Sequence, residues 1–206
     1  MTRKGRSDRF YQKAKSEGYT ARSVYKLEEI DQKYRLFRKG HLILDLGASP
    51  GSWMQYLSGR VGEKGLIVGV DRNLPRQAPV PSSRFLQRDV FDVSAEELRG
   101  IVNAFDAVVS DLAARTTGDR DGDHTRSMAL CGRALELALQ TLKPGGAFVC
   151  KMFQGGGSKV FLDGIRKHFD MVKTQKPSAS RGESREVFVV ALGFRAHPVS
   201  RAAAGS

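Results

Sequence analysis

The chain has 206 residues, 40% of them hydrophobic and 27% charged, with a net charge of +12. That size suits one α/β domain with a full core, and no apolar run of about 18 residues exists to cross a membrane. Cys131 and Cys150 are too few for a disulfide scaffold or a zinc site, so two reduced buried thiols are expected.

Residues 1–18 are expected to form a basic, flexible N-terminal tail, with Phe10 and Tyr11 as possible anchors. From Ala21 to Tyr34, Val24, Leu27, Ile30 and Tyr34 recur at helical spacing, with Thr20 as the expected N-cap. Leu42–Leu46 reads as a strand running into the Gly-rich turn Gly47-Ala-Ser-Pro-Gly51, and Trp53–Ser58 as a helix. Gly65–Val70 and Arg84–Gln87 read as strands closed by Asp71 and Asp89. A helix over Ala95–Ile101 precedes a strand over Ala107–Ser110, closed by Asp111. The polar residues 115–124 read as a loop, and 125–142 as an amphipathic helix stopped by Lys143-Pro-Gly-Gly146. A strand over Ala147–Met152, a helix over Val160–His168 and strands over Met171–Thr174 and Val187–Leu192 complete the pattern. Residues 19–195 are therefore expected to be a single domain and 196–206 a second flexible tail.

Strands alternating with helices imply a parallel sheet covered on both faces. The closing pair of strands lacks a long intervening helix and implies one antiparallel edge strand. This is the strand pattern of the Rossmann-like α/β fold of the SAM-dependent (S-adenosylmethionine) methyltransferases, with a mostly parallel seven-stranded sheet.

In such sheets ligands bind at the carboxyl ends of the strands, where Asp45, Asp71, Asp89 and Asp111 all fall. The turn after the first strand lacks both common phosphate-binding patterns, G-x-x-x-x-G-K-[ST] and G-x-G-x-x-G. Asp45 would repel a phosphate there but could pair with a cationic ligand. SAM carries an ammonium and a sulfonium and no phosphate. Asp71, 20 residues after Gly51, stands where an acid binds a ribose diol. Asp89 could reach an adenine amino group or serve only as a turn residue, and Trp53 could lie near the cofactor or in the core.

Five ordered blocks resemble the RrmJ/FtsJ-type ribose 2′-O-methyltransferases. They are Tyr19-Thr-Ala-Arg-Ser-Val-Tyr-Lys-Leu27, Asp45-Leu-Gly-Ala-Ser-Pro-Gly-Ser-Trp53, Ser110-Asp-Leu-Ala113, Val149-Cys-Lys-Met-Phe-Gln-Gly155 and Ser184-Arg-Glu-Val187. The resemblance implies a catalytic tetrad of Lys26, Asp111, Lys151 and Glu186. It also implies SAM contacts from Gly51, Trp53, Asp71, Asp89 and Asp111. The implied reaction is in-line attack of a ribose 2′-oxygen on the sulfonium methyl, in which positioning carries much of the rate. Lys151 is the expected base, and a protonated Lys151 that only orients the hydroxyl stays open. The implied substrate is a uridine of large-subunit rRNA, within a ribosomal particle. Methylation of tRNA or another RNA, or RNA binding without catalysis, are the alternatives. The chain departs from the family at Ala113-Ala-Arg-Thr116, where many members carry Ala-Pro-Asn after the Ser-Asp-Met/Leu block.

Residues 1–39 carry twelve Lys and Arg against five acids, a net +7, which favours a polyanionic partner. Arg181 and Arg185 beside Glu186 would extend that surface. Asp119-Arg-Asp-Gly-Asp123 resembles the start of a calcium loop. It has His124 where glycine and Leu130 where glutamate are needed, so no metal is expected. The N-terminal residues lack the apolar stretch of a secretory signal; a cytoplasmic monomer without membrane contact is expected.

Overall fold

The structure is a computed structural model that describes residues 3–114, 118–180 and 184–196, and the side chains of these except 3–8, 120 and 121. The N-terminal helices are α1 (Arg3–Ser16) and α2 (Val24–Tyr34). They are followed by β1 (Leu42–Leu46), α3 (Ser52–Val61), β2 (Leu66–Asp71), β3 (Ser83–Gln87), α4 (Ala95–Ile101) and β4 (Phe105–Ser110). The remaining elements are α5 (Arg120–Thr141), β5 (Leu142–Phe153), α6 (Ser158–Arg166), β6 (Phe169–Gln175) and β7 (Glu186–Phe194).

One sheet holds all seven strands in the order β3-β2-β1-β4-β5-β7-β6. Its strands are rich in Val, Ile, Leu and Phe because both faces are covered. Leu44, Val68, Val108, Phe148 and Val189 pack against α4, α5 and α6 through Leu98, Leu137 and Ile165. Ile43, Ile67, Val109, Val149 and Phe188 face α2 and α3 through Leu27, Ile30 and Leu57. β7 runs antiparallel to both its neighbours, inserted between β5 and the outermost strand β6. The chain leaves β1 toward β2 and β3, then returns to β4 on the other side of β1. That reversal opens a crevice at the carboxyl ends of β1 and β4.

Three local features differ from the sequence reading. The stretch read as a tail contains α1, whose second half is docked: Ala14 is buried with Val24, Tyr25 and Ala179, and the Phe10 ring lies 5.6 Å from that of Tyr25. Few apolar residues of α1 take part in this docking, so the sequence carries no apolar periodicity to announce it. Thr20 does not cap α2. Its amide and hydroxyl both donate to Gln55 Oε1 (3.0 and 3.3 Å), and the helix begins after Ser23. Finally, α5 starts at Arg120 rather than 125; the acids of that segment, unfavourable within a helix, suit its first turn through the macrodipole. Residues 115–117 and Arg181 lie outside the described residues.

Cys131 and Cys150 are both buried, as the composition implies, and both thiols donate to the carbonyl of Lys151 (3.2 and 3.3 Å).

Candidate active site

A cleft of about 590 Å3 opens at the carboxyl ends of β1, β2 and β4. Gly47 forms its floor. Its φ of +82° and the approach of the β4 strand end both demand glycine: an added Cβ would stand 2.9 Å from the Leu112 backbone nitrogen. The backbone amides of Gly47 and Ala48 donate to the Val70 carbonyl (2.9 and 3.2 Å), which ties the turn to β2. Asp71 accepts from the Ser49 amide on Oδ2 (3.1 Å) and from the Asn73 amide on Oδ1 (2.8 Å). It thereby braces the turn while still lining the cleft. Asp89 accepts the Phe91 amide on Oδ1 (3.0 Å), so it is a turn residue and a cleft residue at once. Arg72 stands 3.5 Å from its other oxygen but is largely exposed, and that pair contributes little. Phe91 is 53% exposed and lines the cleft beside Asp89. It is not among the sequence candidates, because a single aromatic in a polar turn carries no pattern.

Gly51 and Trp53 are not among the described cleft-lining residues. Gly51 precedes α3 with φ +109°, and its carbonyl accepts from Gln77 Nε2 (3.1 Å). Trp53 is buried, with its ring 5.9 Å from that of Phe188, and its indole N–H donates to the Ser23 carbonyl (3.0 Å). Trp53 therefore anchors the start of α2, the helix that carries Lys26.

The four tetrad residues form two ion pairs. Lys151 Nζ, near the end of β5, donates to Asp111 Oδ1 (2.9 Å) and to the Asp111 carbonyl (2.6 Å). Lys26 Nζ, on α2, lies 2.6 Å from Glu186 Oε1 at the start of β7. Phe188 links the pairs: it stands directly opposite Lys151 across β5 and β7, and its ring lies 5.8 Å from Lys26 Nζ. Opposite residues of an antiparallel pair share a face, and Glu186 shares the Phe188 face two residues earlier. Lys26, Lys151 and Glu186 are all at least nine-tenths buried. Removing one partner of such a pair typically costs about 3–5 kcal/mol.

Beneath the turn lies Asp45, fully buried, with neither carboxylate oxygen partnered. Burial pushes its carboxyl well above the usual range, reinforced by the charges of Asp111 and Asp71. The cleft lining sets three acids, Asp71, Asp89 and Asp111, beside three arginines, Arg72, Arg88 and Arg126.

Strand order, a glycine turn after β1 and acids at successive strand ends together define a Rossmann-like methyltransferase. Residues 19–194 match the sequence model of the FtsJ-like methyltransferases. The chain belongs to that family, and its cofactor is SAM. Among its relatives is the ribosomal RNA large subunit methyltransferase E of Desulfatibacillum aliphaticivorans, 44% identical over 183 residues, covering 89% of this chain and 88% of that protein. The protein of the same name from Bdellovibrio bacteriovorus is 46% identical over 188 residues, covering 90% and 95%. A solved structure described as a ribosomal RNA methyltransferase from Plasmodium falciparum superposes with a TM-score of 0.74 at 28% identity, covering 85% of this chain and 98% of that one.

The residues present fit SAM. Asp71 and Asp89 present carboxylate lone pairs to the cleft, acceptors for hydroxyl and amino donors of the kind SAM carries. The buried, unpartnered Asp45 lies beneath the turn that lines this cleft.

Proposed function

We propose that the chain methylates the 2′-hydroxyl of a uridine in large-subunit rRNA, with Lys26, Asp111, Lys151 and Glu186 as the catalytic set. The observation that carries this reading is the pair of buried Lys–carboxylate contacts, flanking Phe188 on one face of the sheet beside the cleft. The names of the relatives support rRNA over tRNA as the acceptor. The reading includes a cytoplasmic monomer, a ribosomal particle as substrate and a methyltransferase domain over residues 19–195. Among the described residues, no helix is long and apolar enough to cross a membrane.

When bound, SAM supplies a methyl group on a sulfonium, which is a good leaving group. Asp71 and Asp89 hold the nucleoside end, and Gly47 lets the backbone approach closely. Asp111 occupies two of the three donor positions of Lys151 Nζ, leaving one for the acceptor hydroxyl. In its neutral form Lys151 would take the 2′-hydroxyl proton as the oxygen gains the methyl group and the carbon–sulfur bond breaks with its electron pair going to sulfur; the proton would then pass to solvent. In its charged form it orients the same hydroxyl. Lys26, held by Glu186, positions the ribose for in-line attack.

The test is incubation with labelled SAM and, separately, large ribosomal subunits, naked rRNA and tRNA, followed by mapping of the methylated nucleotide. A 2′-O-methyluridine in large-subunit rRNA is expected; label on a base or only in tRNA would overturn the reading. Lys151→Ala should abolish transfer while calorimetry still detects SAM binding and circular dichroism an unchanged fold. Turnover like the wild type by folded Lys151→Ala would remove Lys151 from the mechanism.

A further inference from the structure

The chain segment that joins β6 to β7 is fastened to α2 at two points, and both bear on Glu186. Glu29 lies one turn after Lys26 on α2, and residues three apart share a helix face. Its Oε2 accepts from the Ser178 amide (2.8 Å) and the Ser178 hydroxyl (2.7 Å), and its Oε1 from Gln175 Nε2 (3.2 Å). The turn that follows closes on itself through the Ser180 amide, which donates to the Pro177 carbonyl (3.0 Å). Ala179 is buried among Ala14, Val24 and Tyr25. This seats Ser180, whose hydroxyl donates to Glu186 Oε1 at 3.0 Å. That oxygen is the one paired with Lys26 at 2.6 Å. The Glu186 amide donates in turn to the Ser184 hydroxyl (3.1 Å).

We infer that Ser180 is a positioning residue of the methyl-transfer site: its hydroxyl, seated by the Glu29-anchored turn, fixes the Glu186 carboxylate so that Lys26 points at the acceptor ribose. The inference rests on the tetrad reading given above. A carboxylate bonded to Lys26 alone can rotate about its terminal torsion, which is broad and has no strong preference. A second donor on the same oxygen removes that freedom. The hydrogen bond is charge-assisted, and such bonds are stronger than neutral ones. Glu29 takes no part in the chemistry; it carries one end of α2 and the turn as a single unit. Lys26 and its restraint are thus delivered by the same helix.

The test compares wild type, Ser180→Ala, Ser180→Thr and Glu29→Ala on large ribosomal subunits with labelled SAM. The loss of one charge-assisted bond predicts a fall in kcat of about tenfold for Ser180→Ala, with KM for SAM within about twofold of wild type. Ser180→Thr, which keeps the hydroxyl, should restore kcat. Glu29→Ala should lower kcat in the same direction without touching Glu186. Competitive acylation of lysines, read by mass spectrometry, supplies a measure independent of turnover. Lys26 should label faster in Ser180→Ala than in wild type and at the wild-type rate in Ser180→Thr. Wild-type kcat with wild-type Lys26 labelling in Ser180→Ala would overturn the inference, as would equal impairment of the alanine and threonine variants. If the wild type itself fails to methylate the subunits, the proposed substrate falls, while the Lys26 labelling still decides the role of Ser180.

Discussion

Asp45 is the most exacting single residue in the molecule. It sits inside a strand, fully buried and unpartnered, with its carboxyl pushed well above the usual range by burial and by Asp111 and Asp71. The folded protein therefore keeps a proton that the unfolded chain has already released. The stability this contributes is fully present below the ordinary carboxylate range and is lost as pH rises through the folded value. Asp45→Asn has no charge to lose, so it should melt above wild type at pH 8 and not at pH 4. A relief of about 1 kcal/mol corresponds to roughly 2–4 °C at this chain length. A melting difference equal at both pH values would show that the charge is not the source. The acids of β1, β2, β3 and β4 were legible in the sequence because each follows an apolar run. The pairing of Asp45 with nothing was not, because neither spacing nor composition reports burial.

The turn from β1 to α3 shows how an element can depend on one missing atom. Gly47 and Gly40 share a φ of +82°, but a Cβ at Gly40 meets open space, whereas one at Gly47 meets the Leu112 backbone at 2.9 Å. The left-handed conformation alone costs an L-residue about 1–2 kcal/mol. Gly40→Ala should therefore show that loss in thermal unfolding and bind SAM normally. Gly47→Ala should be less stable than Gly40→Ala and lose SAM binding, because the turn must move away from the strand end. Equal stability and affinity in the two variants would refute the close-packing account. The turn was visible as a glycine cluster, but which glycine is irreplaceable depends on Leu112, just past β4 and 65 residues further along the chain. Helix α1 illustrates the opposite case: most of its face is solvated, so a few contacts to α2 decide its position without leaving a periodic trace.

At the scale of the whole molecule, charge sets how the protein meets its substrate. More than half of the net +12 lies in residues 1–39, and α1 docks onto Tyr25 of α2, with Lys13 Nζ 4.3 Å from the Tyr25 ring. Phosphate contacts release counterions, so RNA affinity should fall steeply between roughly 50 and 200 mM salt. Arg9→Gln and Lys15→Gln, both at exposed positions of α1, should weaken binding without regard to sequence and each reduce the salt slope by about one unit. A slope unchanged by both would place the RNA away from α1.

The sequence by itself determined the doubly covered sheet, the row of strand-end acids and, through its five ordered blocks, the family and its candidate tetrad. Those properties are local: they follow from apolar runs, turn residues and motif order within short windows. Only the tertiary structure decided that Lys26 meets Glu186 and Lys151 meets Asp111, that Trp53 supports α2 rather than lining the cleft, and that Ser180 and Glu29 restrain the site. The Lys26, Lys151, Trp53 and Glu29 contacts join residues 30 to 160 positions apart. Such pairings arise from strand order and helix docking, which bring distant segments together without any mark on either segment alone.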